Sequence, residues 1–313
     1  MFRLLVAVMT AMICMTNIVN AQQFGHRPMR IVVPFTAGGY ADILARTIAE
    51  GMSTQIRQPV IVENRPGGFV VIGAQHVINQ PADGHTLMIT GNGLAAYRRF
   101  NPDITLDLHR EFSIASVLVK SPLVTVVSRS TPIQDARQLI DMVLRSPELY
   151  SFGSMGGGGI SGMGAILFLN AINGKMLNVP YNGIAPAQID IQAGRLDSIF
   201  SEVPSARQLI ESGQRAIMIS SSTRTSLFPD VPTWRELGVN QEFYAFQAFW
   251  VRSNTSRETR IELNRLITDT LNMPEIRRKL ISIGLNENDI VNDTLENHEQ
   301  YIRNEINRWP PAR

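Results

Sequence analysis

The chain has 313 residues, 29 Lys plus Arg against 27 Asp plus Glu, and a single cysteine. That length builds two sizeable cores, and the near-neutral balance without a basic run argues against nucleic acid or a polybasic membrane contact. The one thiol, Cys14, excludes a disulfide framework and a Cys–Zn site.

The first element is an export signal. Arg3 supplies a positive start, Leu4 to Ile13 an apolar stretch, and Val19-Asn20-Ala21 the small residues that signal peptidase reads. Cleavage after Ala21 gives a periplasmic protein beginning at Gln22 and removes Cys14. Ile13 stands where a lipoprotein signal wants Gly or Ala. No later stretch reaches the roughly 18 to 20 apolar residues of a membrane span.

RIVVPFTAGGYADILAR (30–46) follows. A β-branched run stops at Pro34, two glycines turn the chain, and an apolar-periodic helix opens near Tyr40 with Asp42 in its first turn. Backbone N–H groups at such a helix start can hold an anion. Gly38 and Gly39 read either as room for a ligand carboxylate or as a turn that needs positive φ. Asp42 either organises water or substrate, or offsets the helix dipole and pairs with Arg46 at i,i+4. Strands are expected at 59–63 and 86–90, with a short helix at 73–79 between them. This alternation implies a parallel sheet with ligands beyond the strands' carboxyl ends, at Phe35 to Gly39 and Thr90 to Leu94, Asn92 included.

Ile114 to Ser128 is a long β-favouring run broken at Ser121-Pro122, a candidate crossing between lobes. A second alternating series runs on: helix 134–145, strand 150–154, helix 161–173, strand 175–180, helix 185–193, strand 197–201, helix 203–212, strand 216–220. Residues 220–223 read as a linker. A strand at 244–251 and helices near 256–271, 274–283 and 294–309 complete the chain.

Between the strand and helix around residue 157 stand Ser154, Gly156, Gly157, Gly158, Gly159 and Ser161. Four consecutive glycines suit close backbone approach to a ligand, or merely a flexible loop. The two serines offer hydroxyls, and Ser161 is a candidate N-cap. Gly157, Gly159 and Gly162 formally match a dinucleotide fingerprint. However, no acid ends the next strand, where Tyr181-Asn182 stand instead. Tyr181 is an aromatic wall of the site or a core residue. Asn182 suits a turn or a ligand. Ser201 and Glu202 end a further strand on the same sheet edge, Glu202 as a ligand group or as a helix-start acid. The five histidines have no metal-pair spacing, and neither a G-x-S-x-G elbow nor a Walker A motif occurs.

Seven blocks in this order and spacing give the chain its resemblance: IVVPFTAGGYADILAR, VIVENRPGG (60–68), PADGHTLMIT (81–90), FGSMGGGG (152–159), VPYNGIAPA (179–187), AGRLDSIF (193–200) and FPDVPTWRELG (228–238). It resembles the Bug family of periplasmic solute receptors, the binding proteins of tripartite tricarboxylate transporters, across nearly all of the mature chain. The resemblance implies an α/β, two-lobed type II periplasmic-binding-protein fold. Each lobe is a mostly parallel sheet flanked by helices: residues 22–122 plus 223–313 form one, 123–222 the other, with hinges near 117–127 and 219–225. It implies a monomer without cofactor or enzymatic activity, closing on a small organic carboxylate for an integral-membrane permease. In that reading Phe35, Gly38, Gly39 and Asp42 meet the ligand from one lobe and Ser154, Gly156 and Gly158 from the other. Backbone N–H groups, rather than an arginine clamp, hold the anion. The chain departs from the family at Gly159 and Gly162, where Ser and His are usual, and at Ala248, Arg252 and Ser256. The alternatives are an exported α/β hydrolase, a periplasmic sensor feeding a membrane signalling protein, and the effector-binding lobes of a transcription regulator. The signal peptide and the missing DNA-binding helices oppose the last.

Overall fold

A computed structural model describes residue 24 and residues 26–154, 159–181 and 184–310. The signal peptide lies outside the described residues, as do Gly156, Gly158 and Asn182. Among the described residues no helix is long and apolar enough to cross a membrane.

The chain folds into two sheets that share one strand. The first sheet begins with β1 (Met29–Val33), β2 (Val60–Asn64) and β3 (Thr86–Gly91), all parallel, with β1 in the middle. β4 (Phe112–Val127) and β9 (Tyr244–Arg252) extend it in the order β2-β1-β3-β9-β4. β9 runs antiparallel to both of its neighbours. The second sheet contains β5 (Ser151–Ser154), β6 (Leu177–Pro180), β7 (Ser198–Glu202) and β8 (Arg215–Ile219). β6, β5 and β7 are parallel, and β4 lies between β7 and β8, antiparallel to each. The expected parallel arrangement therefore holds for three strands of each sheet, and the sheets as wholes are mixed.

β4 is where the sheets meet. It pairs with β9 from Phe112 to Pro122, and with β7 and β8 from Leu123 onward. The break expected at Ser121-Pro122 is absent: the strand runs straight through. Proline lacks an N–H but is tolerated where a strand is laddered on one side, and the strand partner of β4 up to Pro122 is β9, with β7 and β8 joining only after it. The next N–H, of Leu123, donates to the Ser220 hydroxyl at 2.8 Å, and that hydroxyl donates to the Phe243 carbonyl. Residues 220–223 are thus a stitched crossing rather than a loose linker, with Ser220 and Ser221 buried. The segment after them, expected with the first lobe, packs Trp234, Val239 and Phe243 into the core of the second sheet.

Helices cover both faces of both sheets. On the first, α1 (Tyr40–Ile56), α9 (Arg257–Leu271) and α10 (Pro274–Ser282) pack on one face. The other face takes α2 (Val71–Ile78), α3 (Asn92–Phe100) and α11 (Leu295–Arg308), with the short α4 (Leu108–Glu111) beside them. Two-sided cover explains why β1 reads as a continuous apolar run: Ile31 and Val33 face one core and Val32 the other. On the second sheet, α5 (Ala136–Arg145) and α6 (Ile160–Ala171) pack on one face, α7 (Ile184–Gln192) and α8 (Val203–Glu211) on the other. A 3₁₀ turn at Glu287–Asp289 leads into a bridge between Ile290 and Val119, beside the crossing. α3, α4 and this turn were not expected from the sequence.

Candidate functional site

The carboxyl ends of β1 and β3 carry the first half of the site. After Val33 the chain turns through Phe35 to Gly39, all exposed. Positive φ falls on Gly38, at +80°, while Gly39 is extended at φ −76°. A Cβ on Gly38 would meet nothing within 4 Å, and one on Gly39 only the Thr36 carbonyl at 3.5 Å. The turn therefore faces open space. Gly39 is the N-cap of α1 and offers no capping side chain, so the first N–H groups of that helix remain available to an anion.

Asp42 is committed to the turn itself. It is buried, 3 % exposed. Its Oδ2 accepts from the Gly38 N–H at 2.9 Å and from Arg46 Nε at 3.1 Å, and its Oδ1 accepts from Asn64 Nδ2 at 2.9 Å. Asn64 Nδ2 also reaches the Phe35 carbonyl at 3.2 Å. Burial pushes the Asp42 carboxyl up, but bonds from Arg46, Gly38 and Asn64 outweigh it and hold the group below its ordinary range. Gly38 has the positive φ that the turn reading requires, and its N–H is spent on Asp42. The Asp42 and Ile43 N–H groups each donate to the Gly39 carbonyl at 3.0 Å, which leaves those of Tyr40 and Ala41 for a ligand. Asn64 ends β2, the parallel neighbour of β1; it stands in the VIVENRPGG block, but nothing there marked it as a partner of Asp42.

Thr90 and Asn92 tie strands together. Trp250 Nε1 donates to the Thr90 carbonyl at 2.9 Å. The Asn92 amide donates to the Tyr244 carbonyl at 3.0 Å and accepts from the Phe246 N–H at 2.9 Å. Between them, a Cβ on Gly91 would lie 1.8 Å from the Phe246 carbonyl oxygen, so only glycine fits.

The second half of the site lies at the carboxyl ends of β5, β6 and β7. Ser154 ends β5 and is buried, and its carbonyl accepts the Tyr181 N–H at 2.8 Å. α6 starts at Ile160 with Gly159 as N-cap, so the buried Ser161 is its second residue rather than its cap. A Cβ on Gly162 would sit 3.2 Å from the Ser154 Cβ. The small residue lets α6 lie close against β5, in space a histidine would need. The Tyr181 hydroxyl donates to Asp190 Oδ2 at 2.8 Å, and burial with that bond pushes the phenol up to about 12. Arg195 Nε holds the same Asp190 at 2.9 Å. The Tyr181 ring packs on the core under β5.

Glu202 ends β7 and is partly buried. Burial pushes its carboxyl up to about 7. Tyr40, the first residue of α1, packs against the core of the first sheet. Burial, then the charges of Glu202 and Asp289, raise its phenol well above the ordinary value. Asp289 in turn accepts from the Asn286 N–H at 2.9 Å and from Ser121 Oγ at 3.4 Å, and burial raises it. The sequence contained Tyr40 in its leading motif, but only as a helix start. Asp289 carried no signal.

A Ser–His pair also occurs: Ser116 Oγ lies 3.3 Å from His298 Nε2. Both residues are buried at 0 % and 2 % exposure. A pair sealed under α9 and α11 presents no nucleophile to a substrate. No group of His, Cys, Asp and Glu able to hold a metal occurs among the described residues.

Two α/β sheets flanked by helices, joined at a shared strand and presenting their carboxyl ends, define the type II periplasmic-binding-protein class. The family model described as tripartite tricarboxylate transporter family receptor, TctC, matches residues 44–312, and the chain belongs to that family. A protein from the tcbD-tcbE intergenic region of Pseudomonas sp. (strain P51) is 33% identical over 84% of this chain and 79% of its own. BugT of Bordetella pertussis is 30% identical over 93% of this chain and 90% of its own. Among solved structures, R. palustris Rpa4515 with adipate superposes with a TM-score of 0.79 at 28% identity, covering 91% of this chain and 95% of that one. The chain is thus a solute-binding receptor of the TctC/Bug type.

Proposed function

We propose that this protein is an exported periplasmic receptor that captures a small organic carboxylate between two lobes and delivers it to integral-membrane permease subunits. The observation that carries this is the uncapped N-terminus of α1. Gly39 supplies no capping side chain, Asp42 is turned back onto Gly38 and Arg46, and the turn opens on free space. A helix start in that state favours an anion by about 0.3–1 kcal/mol in an exposed setting and up to about 2 when partly buried. Rpa4515, a relative in structure, was solved with adipate, which supports a carboxylate.

The lobes in this reading are residues 22–122 with 244–313, and 123–243, because Trp234 and Phe243 pack with the second sheet. The protein acts as a monomer, without cofactor or catalysis, and its signal peptide is removed after Ala21. Ligand drives closure by binding the closed state more tightly. Isothermal calorimetry on the chain from Gln22, with adipate first and then a panel of small mono- and dicarboxylates, tests the reading, with X-ray scattering on the tightest binder. Binding with a smaller radius of gyration is expected. A panel that binds nowhere refutes the carboxylate reading, and binding without compaction refutes closure.

A further inference from the structure

The turn between β1 and α1 has little packing to hold it. Phe35 to Gly39 are exposed, and a Cβ on Gly38 would meet nothing within 4 Å. Two consecutive glycines also have the most backbone freedom to lose. Polar bonds do the holding instead, and they converge on Asn64. Its Nδ2 donates to the Phe35 carbonyl at 3.2 Å, where the turn begins, and to Asp42 Oδ1 at 2.9 Å. The same Asp42 carboxylate accepts the Gly38 N–H at 2.9 Å, near the turn's end. On its other side, Asn64 Oδ1 accepts from Arg46 Nη2 at 3.0 Å. Both hydrogens of the amide and its oxygen are thus engaged, which fixes its orientation. An aspartate in this place has no hydrogen to donate and sets a second charge beside Asp42; an alanine supplies neither bond. Asn64 ends β2, the outermost strand of the first sheet, so it reaches the turn from the flank.

We propose that Asn64 is a positioning residue for ligand capture: it ties the entry of the glycine turn to Asp42 and so holds the Tyr40 and Ala41 N–H groups in the arrangement that meets the ligand carboxylate. This rests on the carboxylate-receptor reading and adds to it a residue that acts through the turn. The physical cause is preorganisation. A ligand that binds one arrangement of a loop sees its apparent affinity divided by the fraction of molecules already in that arrangement. Fixing the turn in advance spares the ligand the cost of ordering it. Loss of two hydrogen bonds, one of them to a carboxylate, frees the turn to take other arrangements and should weaken binding by about tenfold.

A double-mutant cycle tests this on the chain from Gln22. The four proteins are the wild type, Asn64→Ala, Gly39→Asp, which fills the helix start with its own carboxylate, and the double variant. Asn64→Ser serves if the Ala variant fails to fold by circular dichroism. Calorimetry at pH 7.5 uses adipate, or succinate where adipate does not bind. Asn64→Ala should weaken the wild type about tenfold and the Gly39→Asp protein by less than about twofold, because the turn no longer serves the ligand there. An equal loss in both backgrounds overturns the inference, since a merely structural asparagine costs the same in each. So does an unchanged affinity in Asn64→Ala. Should Gly39→Asp abolish measurable binding, hydrogen exchange decides: the Gly38 amide, bonded to Asp42, should exchange about tenfold faster in ligand-free Asn64→Ala while the amides of α9 keep their rates, and an unchanged Gly38 rate overturns the inference. Each of these refutations leaves the receptor reading standing. Failure of adipate, succinate and every other carboxylate on the wild type removes both.

Discussion

Gly39→Asp should make the protein more stable and a worse receptor at once. Gly39 is the N-cap of α1 with φ −76° and ψ 168°, a conformation that any L-residue adopts. A new Cβ meets only the Thr36 carbonyl at 3.5 Å, an ordinary contact. The aspartate carboxylate then accepts from the N–H of Ala41 at the second helical position, which glycine's missing side chain leaves uncapped. Asp in place of Gly at an N-cap gains a few tenths of a kcal/mol, and its charge at the helix start adds about 0.3–1. Asp42, three residues on, repels it, but the Arg46 guanidinium lies 3.0 Å from Asp42 Oδ1 and offsets most of that. The net gain is about 0.5 kcal/mol. At roughly 2–4 °C per kcal/mol, the usual scale for domains of about 150–250 residues, scanning calorimetry should show Tm rising by about 1–2 °C. The same carboxylate occupies the N–H groups a ligand would use. Removing about 1–2 kcal/mol of anion binding weakens affinity by about 5- to 30-fold. An unchanged Kd in a stabilised variant would take the α1 terminus out of the site. A destabilised variant would show that the turn geometry is wrong.

Three further outcomes follow from the same geometry. Gly38→Ala should lower stability by about 1–2 kcal/mol in urea unfolding, because φ is +80° there, although the site has room for the methyl group. Asp42 has a depressed folded pKa, so its contribution is present above the unfolded value and lost as pH falls through the folded one; Asp42→Asn should destabilise at pH 7 and flatten the acid limb of stability against pH. Glu202 has a raised folded value of about 7, so wild-type stability should fall as pH rises from about 4.3 through 7. Glu202→Gln should abolish that fall and exceed the wild type in Tm at pH 8 but not at pH 4; equal slopes would refute the burial of this group.

The strands and most helices were legible because each has a local cause. The β-branched run stopping at Pro34, the glycine pair and the first-turn acid spell a strand, a turn and a helix in order. What failed depends on neighbours distant in sequence. Pro122 looks like a break, yet β4 has β9 as its strand partner up to that point, and a missing N–H on the other side is harmless. β9 fits between β3 and β4 and reverses direction in the sheet, which no pattern in residues 244–252 announces. α3 was hidden because Asn92 reads as the end of a strand, whereas its amide is spent on the backbone of β9. The site shows the same division. The glycine turn was visible, but the bonds from Asn64 to Asp42 and from Tyr181 to Asp190 are made by the fold. The Glu202 charge that raises the Tyr40 phenol acts between residues 162 positions apart, a separation at which periodicity carries no information.

The pairing of Pro122 with Tyr244 has a topological consequence. Residues 123–243 leave the first sheet and return to it at adjacent rungs of one ladder, and Ser220 fastens the neck by bonding both Leu123 and Phe243. The second half is therefore an insertion with a closed base. Excising it and joining Pro122 to Tyr244 through a two-residue Asn-Gly connection would turn β4 and β9 into an ordinary hairpin. The remaining one-sheet protein would keep its cores on both faces, and would bare the patch where Trp309 leans on Phe243 and the rim where Asn286 bonds Thr225 and Ser226. The architecture thus reads as a small, self-sufficient host carrying a large graft, and a circular permutant opened within the graft should leave the host's strand order intact.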